Sequence, residues 1–208
     1  MTRNNKLSYS DNSLSQIEDI ALRCFFPEAE EMTIKQIRER CGYSYERVHN
    51  ALKKLEEKRI VKLDKKGKTL LFKANYNHLY LKLAFYHYMT ERLINFSNKH
   101  TIIYNALKEI DVNSMGIVLI FGSYSKETQT KNSDIDLMIV SNSKNTEKEI
   151  NNLKIKYGLN VSLALIKSTE FPKIKKENKE LWDDLKNYAL IFNRSGLFYY
   201  WMYQNESN

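Results

Sequence analysis

One stretch limits this chain more than any other: an apolar β-branched run, Met115-Gly116-Ile117-Val118-Leu119-Ile120-Phe121, is stopped by Gly122-Ser123 and followed, after a ten-residue gap that ends at Ser133, by Asp134-Ile135-Asp136-Leu137. The run has the length and composition of a buried strand, and Gly-Ser turns it into a short polar segment. Glycine lets an anion approach the backbone, and the serine hydroxyl can bond its oxygens. The second half, Asp134 to Val140, reads as another strand. Its two-residue side-chain period puts Asp134 and Asp136 on one face and Ile135 and Leu137 on the other. Two carboxylates on one face repel unless a hard cation with oxygen ligands lies between them, and Mg²⁺ or Mn²⁺ fits that need.

The order strand, Gly-Ser, short helix, Ser-Asp-Ile-Asp, strand resembles the nucleotidyltransferase superfamily of DNA polymerase beta-like enzymes, particularly its minimal stand-alone members. The resemblance implies that Gly122 and Ser123 bind nucleotide phosphates and that Lys126 occupies a position often basic. It also implies that Asp134 and Asp136 are catalytic and ligate the metal. The reaction implied is transfer of a nucleoside monophosphate from a nucleoside triphosphate, with ATP expected, to a hydroxyl on a protein, an RNA or a small molecule. A partner toxin is one such protein acceptor. Two departures stand out. Glu127 replaces a small residue, often glycine, and the later strand Leu159 to Ile166 contains no acid. Ser162 falls where the third carboxylate is expected, with Asn160 next on the same face, and neither can carry negative charge or act as a base near neutral pH.

The remainder of the chain adds a second function. Its 208 residues carry a net charge of +8, but residues 1–100 hold 19 basic and 12 acidic side chains against 14 and 13 in residues 101–208. An excess concentrated at the front points to a nucleic-acid partner for that half. Leu14, Ile17, Ile20, Ala21 and Cys24 form a helical stripe; Thr33 caps a second helix that Gly42 ends; Ser44 caps a third carrying Val48, Ala51, Leu52 and Leu55. Runs 60–63 and 69–73 flank a basic tip, residues 64–68, as a hairpin. This stretch of about sixty residues resembles the winged helix-turn-helix of prokaryotic transcription regulators. The expected DNA contacts are Arg47, His49, Asn50, Lys53, Lys54, Lys65, Lys66 and Lys68, while Tyr43 and Tyr45 are open to either DNA contact or burial. Between Arg47 and Lys73 lie ten basic and three acidic residues, enough for a strongly salt-dependent attraction to phosphates.

Residues 77–100 read as a long helix with apolar and aromatic positions on more than one face, which suggests packing between domains or a homodimer. Beyond it the expected order is helix (102–111), strand (115–121), short helix, strand (134–140), helix (145–157), strand (159–166) and helices from about 178. Cys24 and Cys41 are too few and too isolated for a disulfide framework and are expected as core thiols in a reduced cytosol. No targeting segment or membrane span is found, so a cytoplasmic protein is expected.

The expected fold class is α/β (α+β): a winged helix-turn-helix at 1–76, a linking helix at 77–100 and a nucleotidyltransferase-like domain at 101–208, with a mixed sheet flanked by helices. Two functions suit it. One is a metal-dependent nucleotidyltransferase coupled to a DNA-binding module. The other is a transcription regulator whose nucleotidyltransferase domain is catalytically degenerate and serves as nucleotide sensor or dimerisation module.

Overall fold

The structure is a computed structural model that describes residues 13–27, 31–110 and 116–204. Met115, the expected start of a strand, and the N-terminal residues lie outside the described residues. The chain divides into two compact units: one is built from residues up to 75, apart from a short stretch starting at Phe26, and the other from that stretch and residues from 76 onward.

In the first unit α1 (Gln16–Arg23), β1 (Glu31–Met32), α2 (Ile34–Cys41), α3 (Tyr45–Glu57), β2 (Val61–Lys66) and β3 (Thr69–Ala74) follow the order of a winged helix-turn-helix. Reciprocal capping boxes start the first two helices, Ser15 with Glu18 and Thr33 with Gln36, so local chemistry sets both starts. Gly42, at φ 72°, ends α2 in the left-handed conformation that glycine adopts at least cost. Ser44 holds the N-cap of α3, although its side chain makes no capping bond. Ala21, Leu22, Phe25, Ile37, Val48, Leu52, Leu55 and Ile60 are buried, so the helical stripes close one core and leave the opposite face of α3 to solvent.

The sheet order is β1-β3-β2, all antiparallel. Two details differ from the sequence expectation. The hairpin strands run on to Lys66 and Thr69, so the turn is Gly67-Lys68 and not the longer tip at 64–68. Glu31-Met32, too short to show alternation, forms a third strand against β3.

The second unit contains α4 (Leu79–Lys99), α5 (Thr101–Lys108), β4 (Ile117–Phe121), α6 (Gly122–Lys126), β5 (Ile135–Val140), α7 (Thr146–Tyr157), β6 (Val161–Ile166), α8 (Ile174–Glu177), α9 (Lys179–Tyr188), β7 (Leu190–Ile191) and α10 (Ser195–Tyr199). Its mixed sheet has the order β6-β5-β4-β7. β4 lies antiparallel to β5 and β7, while β5 and β6 are parallel and joined through α7. β7 was not expected: a two-residue apolar strand after a helix has no periodicity to read, and it pairs through Leu190 and Ile191 with Ile120 and Leu119.

Val118, Ile120, Ile135, Leu137 and Ile139 are buried with Leu107 and Ile150 from the flanking helices and Ile110 just after α5. A second cluster is aromatic: Phe26 meets Phe85 and Tyr203 at 5.3 Å, and Phe85 meets Tyr199 at 5.2 Å. Tyr199 and Tyr203 donate their hydroxyls to the carbonyls of Tyr76 and Pro27, so each buried ring keeps its polar end satisfied. The long helix α4 is thus part of the second unit's own core through Phe85. Among the described residues no helix is long and apolar enough to cross a membrane.

Candidate active site

β4 is buried from Ile117 to Ile120 and delivers the half-buried Phe121, in register with Asp136 of β5, to the edge of the core. Gly122 follows at φ 66° and opens α6. A Cβ at position 122 would lie 2.0 Å from Asp136 Oδ2 and 2.8 Å from its Cγ, so glycine is required both by conformation and by the carboxylate seated against it. The backbone N–H of Ser123 donates to Asp136. The Gly-Ser pair and the second acid therefore form one fitted unit.

Asp136 is half-buried and Asp134 exposed. Desolvation, and then the charge on Asp134, raise the Asp136 carboxyl above the usual carboxylate range, while the Ser123 N–H pulls the other way. The parallel pairing of β5 with β6 sets Ser162 beside Asp136. Asn160 sits beside Asp134, and its Nδ2 donates to Asp134 Oδ1. Two acids and two neutral side chains share one face at the mouth of the sheet. Among the described residues no group of three His, Cys, Asp or Glu side chains could hold a metal. The donor set still suits a divalent cation: two adjacent carboxylates, one of them raised by desolvation and by its neighbour's charge, with hydroxyl and amide oxygens next to them.

Lys126 is engaged elsewhere. Its ammonium lies 2.6 Å from Asp184 of α9 and over the Tyr188 ring at 5.2 Å. Glu127 adopts φ 60° at the end of α6, which explains why a glycine suits this position; its carboxylate pairs with Lys99 at 2.6 Å.

Sequence reasoning missed Arg92. From α4 it donates to the carbonyls of Ser125 at 3.3 Å, Tyr188 at 2.6 Å and Ala189 at 3.0 Å, which ties the end of α6 to the end of α9. Its only sequence signal is a charge within an otherwise apolar helical stripe.

In the first unit, Arg47, His49, Asn50, Lys53 and Lys54 are exposed on α3, and Lys65, Lys66 and Lys68 are exposed on the wing. The Arg47 guanidinium stacks over Tyr43 at 4.5 Å, and His49 stacks on the exposed Tyr45 at 6.0 Å and 15°. Lys66 differs from its neighbours, since it pairs with Glu31 of β1 at 2.6 Å.

Comparison with known proteins places the same stretch. Residues 102–190 match the family model described as Nucleotidyltransferase domain. That stretch runs from α5 to the first residue of β7 and so contains the Gly-Ser turn, both acids and Ser162. No curated protein matches the chain. One similar solved structure is that of TrmBL2, an archaeal chromatin protein reported to show a novel mode of DNA binding; it is 16% identical over 83% of this chain and 72% of its own, with a TM-score of 0.26. A likeness that low carries no inference about this chain.

Proposed function

We propose that the second unit is a metal-dependent nucleotidyltransferase that moves a nucleoside monophosphate from a nucleoside triphosphate, with ATP the expected donor, to a hydroxyl acceptor, and that the first unit binds DNA. The observation that carries the reading is the contact of Gly122 and the Ser123 N–H with Asp136, on the strand face that Asp134 also occupies. Asp134 and Asp136 would hold Mg²⁺ or Mn²⁺, which when bound neutralises charge on the transferring phosphate and the departing pyrophosphate. Gly122 makes room for the Asp136 carboxylate against the backbone, and Ser123 would offer its hydroxyl to phosphate oxygens. No carboxylate on β6 stands ready to take the acceptor's proton. Ser162 can only orient that hydroxyl, so positioning carries most of the rate.

A second reading rests on Ser162 and Asn160. With no acid on β6 beside Asp136, and with an amide already bonded to Asp134, the unit binds nucleotide without transferring it and reports nucleotide to the DNA-binding unit. A homodimer belongs to either reading. The exposed Leu79, Leu83 and Ile94 of α4 are apolar side chains that a second copy would cover, and light scattering measures this.

One experiment decides between transfer and binding. The chain is incubated with triphosphate labelled at the α-phosphate and Mg²⁺ or Mn²⁺, alongside the Asp134→Ala/Asp136→Ala double variant. Label covalently transferred to protein, RNA or a small hydroxyl compound by the wild type alone supports the enzyme. Label retained but never transferred supports the sensor. Equal labelling by the double variant overturns both.

A further inference from the structure

In the first unit the end of α3 and the base of the wing border a cavity of about 430 Å³ that none of the expected DNA contacts lines. Val61 and Ala74 supply apolar walls, and Glu56, Arg59, Lys62 and Lys73 supply charge. Lys62 and Lys73 stand directly opposite each other in the β2–β3 ladder, and like charges so placed repel. Their neighbours relieve this only in part. Asp64 lies 3.1 Å from Lys62, but Glu31, in register with Lys73 on β1, gives its carboxylate to Lys66 at 2.6 Å. Among the described residues no carboxylate forms an ion pair with Lys73 or Arg59. Arg59 sits at φ 57°, a left-handed conformation that a residue with a side chain keeps only where its surroundings fix it. Asn75 does so, donating its backbone N–H to the Ile60 carbonyl at 3.0 Å and its Nδ2 to the Arg59 carbonyl at 3.3 Å. The last carbonyls of α3 are occupied too: Leu55 accepts from Ile60 at 2.9 Å and Glu56 from Arg59 at 2.8 Å, which weakens the negative end that a helix presents there.

We propose that this cavity binds a small organic phosphate monoester, separately from any DNA held by α3 and the wing tip. Its volume is that of a small-molecule site. Arg59, Lys62 and Lys73 meet the three terminal oxygens of the phosphate in charge-assisted hydrogen bonds, and the anion removes the repulsion between the paired lysines. Val61 and Ala74 border the organic body, and Glu56 can accept from a hydroxyl on it. A DNA backbone phosphodiester offers one negative charge and two terminal oxygens, so it matches three cations less well. Lys62 and Lys73 lie four residue pairs from Lys66 and Thr69, about 13 Å along the strands. A ligand there joins the end of α3 to the base of the hairpin and leaves the tip open.

The test titrates the full chain with phenyl phosphate at constant ionic strength and follows the backbone amides by proton–nitrogen NMR. The expected result is saturable shifts at Arg59, Lys62, Lys73 and Asn75. Arg59→Gln and Lys73→Gln should each raise the apparent Kd about ten-fold, while Lys35→Gln, which removes an exposed cation of α2, should leave it unchanged. Methyl phenyl phosphate, the singly charged diester, should bind about five-fold more weakly. Shifts that spread over the basic surface without saturating overturn the proposal. So does equal affinity for the diester, or a Kd unchanged in both cavity variants. If a DNA duplex shifts these amides and phenyl phosphate does not, the cations serve the DNA backbone and the small-molecule site is overturned. Should Arg59→Gln fail to fold, Lys73→Gln on the exposed strand surface still decides.

Discussion

The two units concentrate charge in opposite ways. In the first, cations are spread over the exposed face of α3 and the wing, and most of them lie out in solvent. In the second, two carboxylates share one face, and one of them is seated against Gly122 and a backbone N–H. A dispersed surface loses attraction in increments as charges are removed. A fitted pair fails when either member, or the glycine that admits it, is changed.

The largest expected effect follows from that contrast. Asp136→Ala removes the half-buried member of the pair and should weaken Mn²⁺-dependent triphosphate binding by about 100-fold or more, as loss of a direct metal ligand does. Equilibrium dialysis with labelled triphosphate measures it, and a loss of only two- or three-fold would mean the site is as dispersed as the wing.

Gly122→Ala should come next. Its Cβ would need the space of Asp136 Oδ2, at 2.0 Å, and φ 66° is strained for any side chain. The expected cost is about 1–3 kcal/mol of stability, together with about a ten-fold loss of nucleotide affinity, since the displaced carboxylate is the proposed metal ligand. Urea denaturation reads the first and dialysis the second. If stability falls while affinity holds, the fit of Gly122 to Asp136 serves folding alone.

Ser162→Asp tests the same face by addition. It places a carboxylate beside Asp136 at the register position where the resemblance expects one, and should raise Mn²⁺ affinity and transfer rate by about ten-fold. Unchanged rates would show that Asn160, not Ser162, sets the limit, because its amide already engages Asp134.

How much of this could be read beforehand depends on the range of the signal. The Gly-Ser turn, the Asp134/Asp136 face and the capped helices are encoded within a few residues, so period and local chemistry revealed them. Ser162 could be placed by counting back from the polar segment 167–171 that ends the strand, because side chains alternate strictly from that end. β7, the pairing of β1 with β3 and the Arg92 staple depend on residues distant in sequence, and no window spans them. Lys126 shows the limit from the other side: its position fits a phosphate-binding role, but the helix that brings Asp184 to it lies 58 residues on.

Smaller effects belong to the wing. Lys65→Ala and Lys68→Ala each remove an exposed cation, and each should reduce the slope of log affinity against log salt by about 0.9, uniformly across DNA sequences. Gel retardation at several salt concentrations measures the slope. A change confined to one sequence would mean that a lysine reads a base and does not merely meet a phosphate.

Lys66 should have the smallest effect, although sequence alone puts it level with its neighbours. Glu31 hydrogen-bonds and attracts its ammonium, raising the Lys66 pKa above its ordinary value. A raised lysine pKa means the attraction is fully present below the unfolded value and is lost only as pH rises through the folded one. The pair is therefore intact throughout the neutral range. A cation already matched by a carboxylate 2.6 Å away releases little counterion on meeting a phosphate. Lys66→Ala should lower the salt slope by clearly less than Lys65→Ala, and Glu31→Gln, which frees the ammonium, should raise the slope above wild type. If Lys66→Ala instead matches Lys65→Ala, the pair opens when DNA arrives, and β1 becomes a restraint that binding removes.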